Sequence, residues 1–141
     1  MTENVLRTFS VRLKVPFHHV DPMQVVWHGH YFEYFEAARD GLFDSIGISL
    51  EDFYGRYGYL FPVIRGSVKF IRPLRYKDSF VCTAKVLEAK RKIVVDYEIT
   101  MEAGNVRCTT GRTEQVVLKM PEAVIEYKIP KEICDALGLA Q

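Results

Sequence analysis

The sequence predicts an α+β fold in which an antiparallel sheet wraps around one long central helix. Two patterns support this prediction. Residues 30–46 repeat apolar side chains at three- and four-residue steps, which is the spacing of a helix face. The segments on either side alternate apolar and polar residues, which is the period of half-buried strands. Because this helix is apolar on more than one side, a surrounding sheet is the economical way to bury it.

Composition bounds the class of protein. The chain has 141 residues, 48% of them hydrophobic, and predicts one domain over residues 1–141. A formal net charge of +1 without a concentrated basic face argues against nucleic acid as the main partner. Three distant cysteines support neither a disulfide framework nor a zinc site. No segment resembles a signal peptide or reaches membrane-spanning length, so we expect no membrane partner and a cytoplasmic location.

The first elements lead to the helix. Residues 5–17 predict a strand with one apolar face, formed by Phe9, Val11, Leu13, Val15 and Phe17. The Asp21-Pro22 step then predicts a bend, because proline excludes the α region for the residue before it. Helix 30–46 has Gly29 as an acceptable cap and Gly47 just past its end. The first backbone N–H groups are therefore expected to be free for a ligand.

The rest of the chain predicts a short helix and four strands joined mostly by hairpins. Ser49-Leu50-Glu51-Asp52 is typical of a capping box and begins a helix to about Tyr57. A strand of about ten residues from residue 62 is followed by strands at 79–89, 93–103 and 106–118. Gly111, inside the last of these, indicates a bulge or a close approach. A short tail follows Pro121, and Pro130 opens a final helical turn at 131–137.

The segment DPMQVVWHGHYFEYFEAAR, residues 21–39, resembles the signature of hot-dog-fold acyl-CoA thioesterases of the 4-hydroxybenzoyl-CoA thioesterase type. That signature reads Asp-x-x-Gly-Val-Val-Tyr/Trp-His/Tyr-x-x-Tyr, followed by aromatic residues and Glu-x-Ala-Arg. The chain length and strand pattern extend the likeness more loosely. The resemblance implies a hot-dog fold and hydrolysis of acyl-CoA to free acid and CoA, without metal or other cofactor. It also implies a homodimer joined sheet edge to sheet edge, with the site at the subunit boundary, and often a homotetramer.

The same resemblance implies a catalytic role for Asp21 and His28. Asp21 would act as nucleophile or as general base on water, and both roles stay open. The His28 backbone N–H would stabilise the thioester oxyanion, while its imidazole could orient water or transfer a proton. The competing interpretations are a turn-forming aspartate and a helix-capping histidine.

Further residues are candidates for substrate binding. Aromatic and small residues around the helix start could line an acyl pocket or simply form core: Trp27, Gly29, Tyr31, Phe35 and Phe61. The strand that resembles the family's substrate-flanking strand carries Ser67, Val68 and Lys69. Basic loop residues could bind the CoA phosphates or remain solvated: Arg72, Arg75, Lys90, Arg91 and Lys92.

Three observations refine this hypothesis. His18, His19 and His30 have no acidic or cysteine partner at ligand-like spacing, so we predict no metal site. Phe17 stands where some relatives carry tyrosine, which removes a phenolic hydrogen bond. Gln24 replaces the usual glycine, and it alters the pocket floor if that glycine has a positive φ.

Two alternatives to an acyl-CoA thioesterase remain. A thioesterase acting on acyl carrier protein would want a basic docking surface, with which turn 90–92 is compatible. A non-catalytic acyl-CoA-binding module would bind the same ligand without releasing thiol. A hot-dog dehydratase fits less well, because its histidine and acid are arranged differently from this motif.

Overall fold

The computed structural model describes residues 5–139. Its elements in chain order are β1 (Arg7–Lys14), α1 (Tyr31–Ser45), α2 (Leu50–Tyr57), β2 (Tyr59–Leu60), β3 (Val63–Phe70), β4 (Ser79–Ala89), β5 (Ile93–Met101), β6 (Arg107–Gln115), β7 (Val117–Lys119), β8 (Val124–Glu126) and α3 (Lys131–Ala136). Short 3-10 turns lie at Phe17–His19, His28–His30 and Ala103–Asn105. No helix in the described range has the length and apolar character needed to cross a membrane.

The main sheet has five antiparallel strands in the order β1-β4-β5-β6-β3. Strands β4, β5 and β6 form the predicted hairpins. The prediction of mostly hairpin connections is wrong for β3, which pairs with β6 rather than with β4. The loop between β3 and β4 therefore carries the chain from the sheet edge at β3 to a position beside β1. This leaves β1 and β3 as the two edge strands.

Helix α1 packs on the inner face of this sheet, which confirms the predicted helix wrapped by an antiparallel sheet. Phe35 is fully buried and stacks on Tyr97, with ring centroids 4.4 Å apart and planes at 11°. A Cβ atom placed on Gly111 would lie 2.4 Å from the Phe35 ring. Gly111 is therefore a close approach between strand and helix. The alternative prediction of a bulge is wrong there, because both neighbouring strands pair through Gly111 without a register shift.

A second, smaller sheet with the order β2-β7-β8 was not predicted. The strand predicted at 106–118 is in fact two strands, β6 and β7, which belong to different sheets. The break falls at Val116, whose N–H donates to Pro62 O at 3.2 Å instead of continuing the ladder. Strands of two or three residues are too short to show a recognisable alternation of apolar and polar residues in the sequence.

Two local predictions at element ends need correction. The first strand ends at Lys14, and Phe17 lies in a 3-10 turn with 74% of its surface exposed instead of continuing the apolar face. Phe17 packs only edge-on against Tyr76, with ring centroids 5.4 Å apart. Ser49 is the residue before α2, as predicted, but its side chain makes no capping hydrogen bond. The capping box was therefore predicted at the correct position, but the predicted hydrogen bond from the Ser49 side chain is absent.

Candidate active site

Asp21 lies at the tip of a short hairpin that leads into α1. Val20 and Val26 form an antiparallel bridge, and Trp27 N–H donates to His19 O at 2.9 Å. At the tip, Gln24 N–H donates to Asp21 O at 2.8 Å and Asp21 N–H donates to Val25 O at 2.9 Å. These bonds hold Asp21 at one end of the hairpin and bring His28 just past its base.

The Asp21 carboxylate also stabilises this turn. Its Oδ1 accepts a hydrogen bond from Met23 N–H at 2.8 Å, which is an Asx turn. The turn-forming role that sequence reasoning offered as the alternative is therefore present. It occupies one oxygen only: within residues 5–139, Oδ2 has no hydrogen-bond partner. The side chain is half-buried. A carboxylate held by one oxygen keeps the other available for chemistry.

Gln24 adopts the conformation that a glycine would favour. Its φ is 65°, in the left-handed region, and its side chain is exposed. The hairpin tip therefore requires a positive φ at residue 24, and the chain meets it with a residue for which that conformation costs free energy. The positive φ that the family's glycine would have at this position is present here, although the residue is glutamine.

We predict that Gln24→Gly raises the free energy of unfolding by about 0.5–1 kcal/mol, because relief of the left-handed strain outweighs the added entropy of the unfolded chain. Gln24→Ala, which keeps a Cβ at the same φ, should bring no such gain. Urea denaturation of the three proteins at equal concentration measures the difference. A glycine variant no more stable than the alanine variant would contradict the interpretation.

The start of α1 offers unpaired amide donors. The 3-10 turn His28–His30 precedes the helix, so α1 begins at Tyr31 with His30 as its cap, rather than at His30 with Gly29 as its cap. His30 N–H donates to Trp27 O at 3.0 Å, and Tyr31 N–H donates to His28 O. The amides of His28 and Gly29 have no acceptor in the described part of the chain.

Trp27 and Gly29 fit together at this turn. The Trp27 ring lies over Gly29 so closely that an added Cβ would be 2.1 Å from its Cζ3 atom. Only glycine leaves room for the indole in this position. The ring is half exposed, and the exposed His28 imidazole lies beside it, with centroids 5.0 Å apart. An aromatic surface therefore borders the two unpaired amides.

A histidine cluster lies behind the turn, and it has an acidic neighbour, Glu33, three residues after His30; the expectation that no acidic partner has ligand-like spacing overlooked it. His19 and His30 stack with centroids 3.9 Å apart and planes at 6°, while His30 Nδ1 is hydrogen-bonded to Glu33. Ligand atoms of these three residues lie within 4.8 Å of one another. Imidazole lone pairs lie in the ring plane, so two parallel stacked rings do not aim theirs at one point. The two imidazoles form a stacked pair, and the absence of a metal site stays a prediction.

Burial and neighbouring ionisable groups change the pKa values of residues in this cluster. Desolvation, with His30 and His18 nearby, lowers the pKa of His19 below its ordinary value. His19 Nδ1 is hydrogen-bonded to the Tyr34 hydroxyl at 2.7 Å. Burial in turn raises the pKa of Tyr34, so the phenol stays protonated. A neutral His19 ring is compatible with close stacking on a second imidazole, because two imidazolium charges would repel each other.

The aromatic residues predicted to line an acyl pocket differ in how far they are buried. Tyr31 and Phe35 are enclosed in the hydrophobic core, and the Tyr31 hydroxyl accepts a hydrogen bond from Leu74 N–H at 3.3 Å. Phe61 is half-buried against Phe53, with centroids 5.7 Å apart. In the single subunit Trp27 is thus the most exposed of these aromatic rings.

The three candidates on β3 face two sides of the sheet. Gly66 and Gly111 approach the α1 side chains Phe32 and Phe35, so Val68, paired with Gly111, faces inward. Side chains alternate along a strand, and Ser67 and Lys69 therefore face outward. All three residues nevertheless line one cavity of about 460 Å³ beside β3, together with Lys85 and Asp96.

The candidate basic residues separate into two groups. Arg72 and Arg75 flank Leu74, whose carbonyl accepts a hydrogen bond from Val26 N–H at 2.8 Å, and they lie on the side of the Asp21 hairpin. Lys90 and Arg91 follow β4, an eleven-residue strand that spans about 33 Å. One subunit therefore does not bring both groups to a single CoA. Lys92 is engaged in an ion pair with Glu114.

Arg39 is a residue whose position the sequence analysis missed. It follows Tyr31 and Phe35 at four-residue steps on the buried stripe of α1, which is the signal that could have revealed it. Only 9% of it is exposed, and its Nε has no acceptor among the described residues. It shares a cavity of about 360 Å³ with Glu36, Gly66 and Thr113 beside the β3 edge.

Comparison with known proteins places this chain in a family. The family model described as the thioesterase superfamily matches residues 23–108, more than half of the chain, including all of α1 and strands β3, β4 and β5 of the main sheet. The match begins two residues after Asp21.

Solved structures show the same architecture. The 1,4-dihydroxy-2-naphthoyl-CoA thioesterase from Synechocystis has a TM-score of 0.85 at 20% identity, covering 93% of this chain and 96% of that one. The DHNA-CoA thioesterase from Staphylococcus aureus has a TM-score of 0.80 at 26% identity, covering 85% and 80%. The 4-hydroxybenzoyl-CoA thioesterase from Pseudomonas sp. strain CBS-3 has a TM-score of 0.82 at 17% identity, covering 92% and 99%. The chain has the hot-dog fold and belongs to the thioesterase superfamily.

Proposed function

We propose that the protein hydrolyses acyl-CoA thioesters, with Asp21 and the start of α1 as the catalytic site. The observation that carries the proposal is the pair of unpartnered amides at His28 and Gly29, which follow a hairpin whose tip holds a half-buried carboxylate with one free oxygen. Structural relatives that act on CoA thioesters support CoA as the thiol part of the substrate.

The chemistry follows from these groups. The thioester carbonyl oxygen would accept hydrogen bonds from the His28 and Gly29 amides, at the positive end of the helix dipole. The Asp21 carboxylate would attack the carbonyl carbon, or would take a proton from a water that attacks it. The C–S bond breaks in either route, and the departing CoA thiolate takes up a proton. In the route by direct attack, water then hydrolyses the acyl anhydride on Asp21, which releases the acid and restores the carboxylate. The exposed His28 imidazole can supply that proton, and no step requires a metal ion or another cofactor.

Arg72 and Arg75 are the basic residues best placed for the CoA phosphates in the same subunit. Both are exposed, and neither forms an ion pair within residues 5–139. Arginine pairs well with phosphate because its planar fork donates two hydrogen bonds to one group. The acyl group would then contact Trp27 at the other side of the turn.

We further propose that the active form is a homodimer joined through the β3 edge, and the dimer could assemble further into a homotetramer. The other edge, β1, carries three cations, Arg7, Arg12 and Lys14, whereas β3 carries two, Arg65 and Lys69. Strand β3 is exposed at every residue except Val68 and carries exposed apolar side chains at Val63 and Ile64. An exposed, apolar edge is a template for pairing with a second copy.

In this dimer the partner subunit would supply the acceptor that Arg39 Nε lacks, while Tyr97 is a hydrogen-bond partner of the Arg39 side chain within the subunit. Glu36 lies one turn away on α1, lines the same cavity and forms no ion pair in the described part of the chain. Around a twofold axis, Arg39 of one subunit can face Glu36 of the partner subunit and the reverse, which makes the patch self-complementary.

We predict that Arg39→Glu weakens dimerisation at least about 100-fold, because four carboxylates would then face one another near the twofold axis. Sedimentation velocity over a concentration series measures the dissociation constant. Lys14→Glu, the same charge change on the opposite sheet edge, is the matched control and should leave it unchanged. Equal effects of the two substitutions would argue against the β3 interface.

Thiol release from a panel of aliphatic and aromatic acyl-CoAs tests the activity itself. We expect release above the spontaneous rate for at least one member, and the ranking identifies the acyl preference. Matched thioesters of CoA and of acyl carrier protein distinguish the two thiol carriers. Binding of acyl-CoA without any thiol release would instead indicate a non-catalytic binding module.

A further inference from the structure

A cavity of about 580 Å³ lies at the end of the sheet remote from Asp21. It is bordered by the turn after β4 and by the C-terminal segment 127–139, and it opens to solvent. Strand β4 begins beside the residues that precede the Asp21 hairpin, since Ser79 pairs with Lys14. It ends at Ala89 in the cavity wall, about 33 Å away for eleven residues. This cavity is therefore separate from the thioester site of the same subunit.

The walls of the cavity are held in place by hydrogen bonds. Ile129 N–H donates to Lys90 O at 2.9 Å, and the Cys134 thiol donates to Ala89 O at 3.2 Å. On the other side, Leu6 N–H donates to Val86 O at 2.8 Å. A cavity whose walls are bonded to the main sheet is formed before any ligand arrives. Its volume lies in the range of small-molecule sites, about 300–1,000 Å³.

The lining combines an apolar interior with a cationic rim. Leu6, Leu87 and Ile129 supply apolar surface. The rim carries three exposed cations, Lys90, Arg91 and Lys128, and none of them has an ion-pair partner among the residues described. Glu88 is the one carboxylate in the lining, so the rim is positive on balance. Cations without carboxylate partners around an apolar space favour a ligand that has an apolar part and an anionic group.

We propose that this cavity binds an amphipathic anion, an apolar chain that ends in an anionic group. The chain would be enclosed by Leu6, Leu87 and Ile129, and the anionic group would meet Arg91 and Lys128 at the mouth. Lys90 and Arg91 then serve this second site rather than the CoA bound at Asp21 of their own subunit. The proposal stands on the cavity and its charges and does not depend on thioester hydrolysis.

Isothermal titration with decanoate tests the proposal on the full chain, with decanol and free CoA as comparison probes. We expect decanoate to bind at least ten times more tightly than decanol, because only decanoate carries the charge. Arg91→Glu combined with Lys128→Glu should weaken decanoate binding at least tenfold and leave decanol binding unchanged. Lys14→Glu combined with Lys119→Glu changes the net charge equally at a distance from the cavity, and should have no effect.

A cavity-filling variant locates the apolar part of the site. Leu87→Trp should abolish decanoate binding while its thermal unfolding shows a folded protein, and free CoA should bind this variant as it binds the wild type. Absence of decanoate binding to the wild type would overturn the proposal. So would equal affinities for decanoate and decanol, or equal effects of the rim pair and its charge-matched control.

Discussion

Replacement of Asp21 by asparagine is expected to lower kcat for acyl-CoA hydrolysis about 10³-fold, the loss typical of a removed catalytic acid or base. Asparagine retains a side-chain oxygen that can accept the Met23 N–H bond, which Asp21 Oδ1 accepts at 2.8 Å. The hairpin should therefore keep its shape, and KM should change little. What the substitution removes is the negative charge and the nucleophilic oxygen at Oδ2.

The measurement is thiol release at saturating acyl-CoA, accompanied by a thermal unfolding curve. Asp52→Asn, an exposed carboxylate in α2, is the matched control and should keep the wild-type kcat. If the Asp21→Asn variant also kept the wild-type kcat, Asp21 would be a turn residue only. Single turnover of the wild-type protein in ¹⁸O-labelled water addresses the route, because label found in Asp21 requires attack by that carboxylate.

Replacement of Phe35 by alanine is expected to lower the free energy of unfolding by about 3–5 kcal/mol, the range for large aromatic core truncations. Phe35 is fully buried, stacks on Tyr97 and fills the space that Gly111 leaves beside α1. Phe35 is the side chain that fills the space between α1 and the Gly111 position of β6. The substitution should therefore leave a cavity at the centre of the helix-sheet contact.

Phe32→Ala is the matched control for Phe35→Ala, since Phe32 lies on the same helix with 39% of its surface exposed. Its loss should be about 1 kcal/mol, in proportion to the smaller apolar area that it buries. Urea denaturation at one fixed protein concentration compares the two, because dimerisation would make stability depend on concentration. Equal losses would contradict the assignment of Phe35 to the core centre.

Local patterns in the sequence were sufficient for the elements near the site. The apolar steps of residues 30–46 predicted α1 to within one residue at either end. Strand β4 was predicted with its observed bounds, since alternation over eleven residues is a long signal. The motif also placed Asp21 before a bend and His28 at a helix entrance, where the structure has them.

Contacts between segments distant in the chain escaped this kind of reasoning. The four-residue spacing of Tyr31, Phe35 and Arg39 could have indicated that Arg39 is buried, but only the packing of α1 on the sheet shows that its Nε has no acceptor among the described residues. The stacking of His19 on His30 depends on a hairpin that folds residue 19 back beside residue 30. The spacing of side chains along one element does not show which side chains of another element they contact.

By itself the sequence determined the central helix, the long strands and the motif at residues 21–39, because these depend on spacings of a few residues along one chain segment. Only the tertiary structure decided the order of strands in the sheet. That order made β3 an exposed edge, placed Arg72 beside the Asp21 hairpin, and left Arg91 at the opposite end of β4. The reason is physical: strand pairing joins residues far apart in the chain, and their distances are set by the sheet rather than by the local pattern.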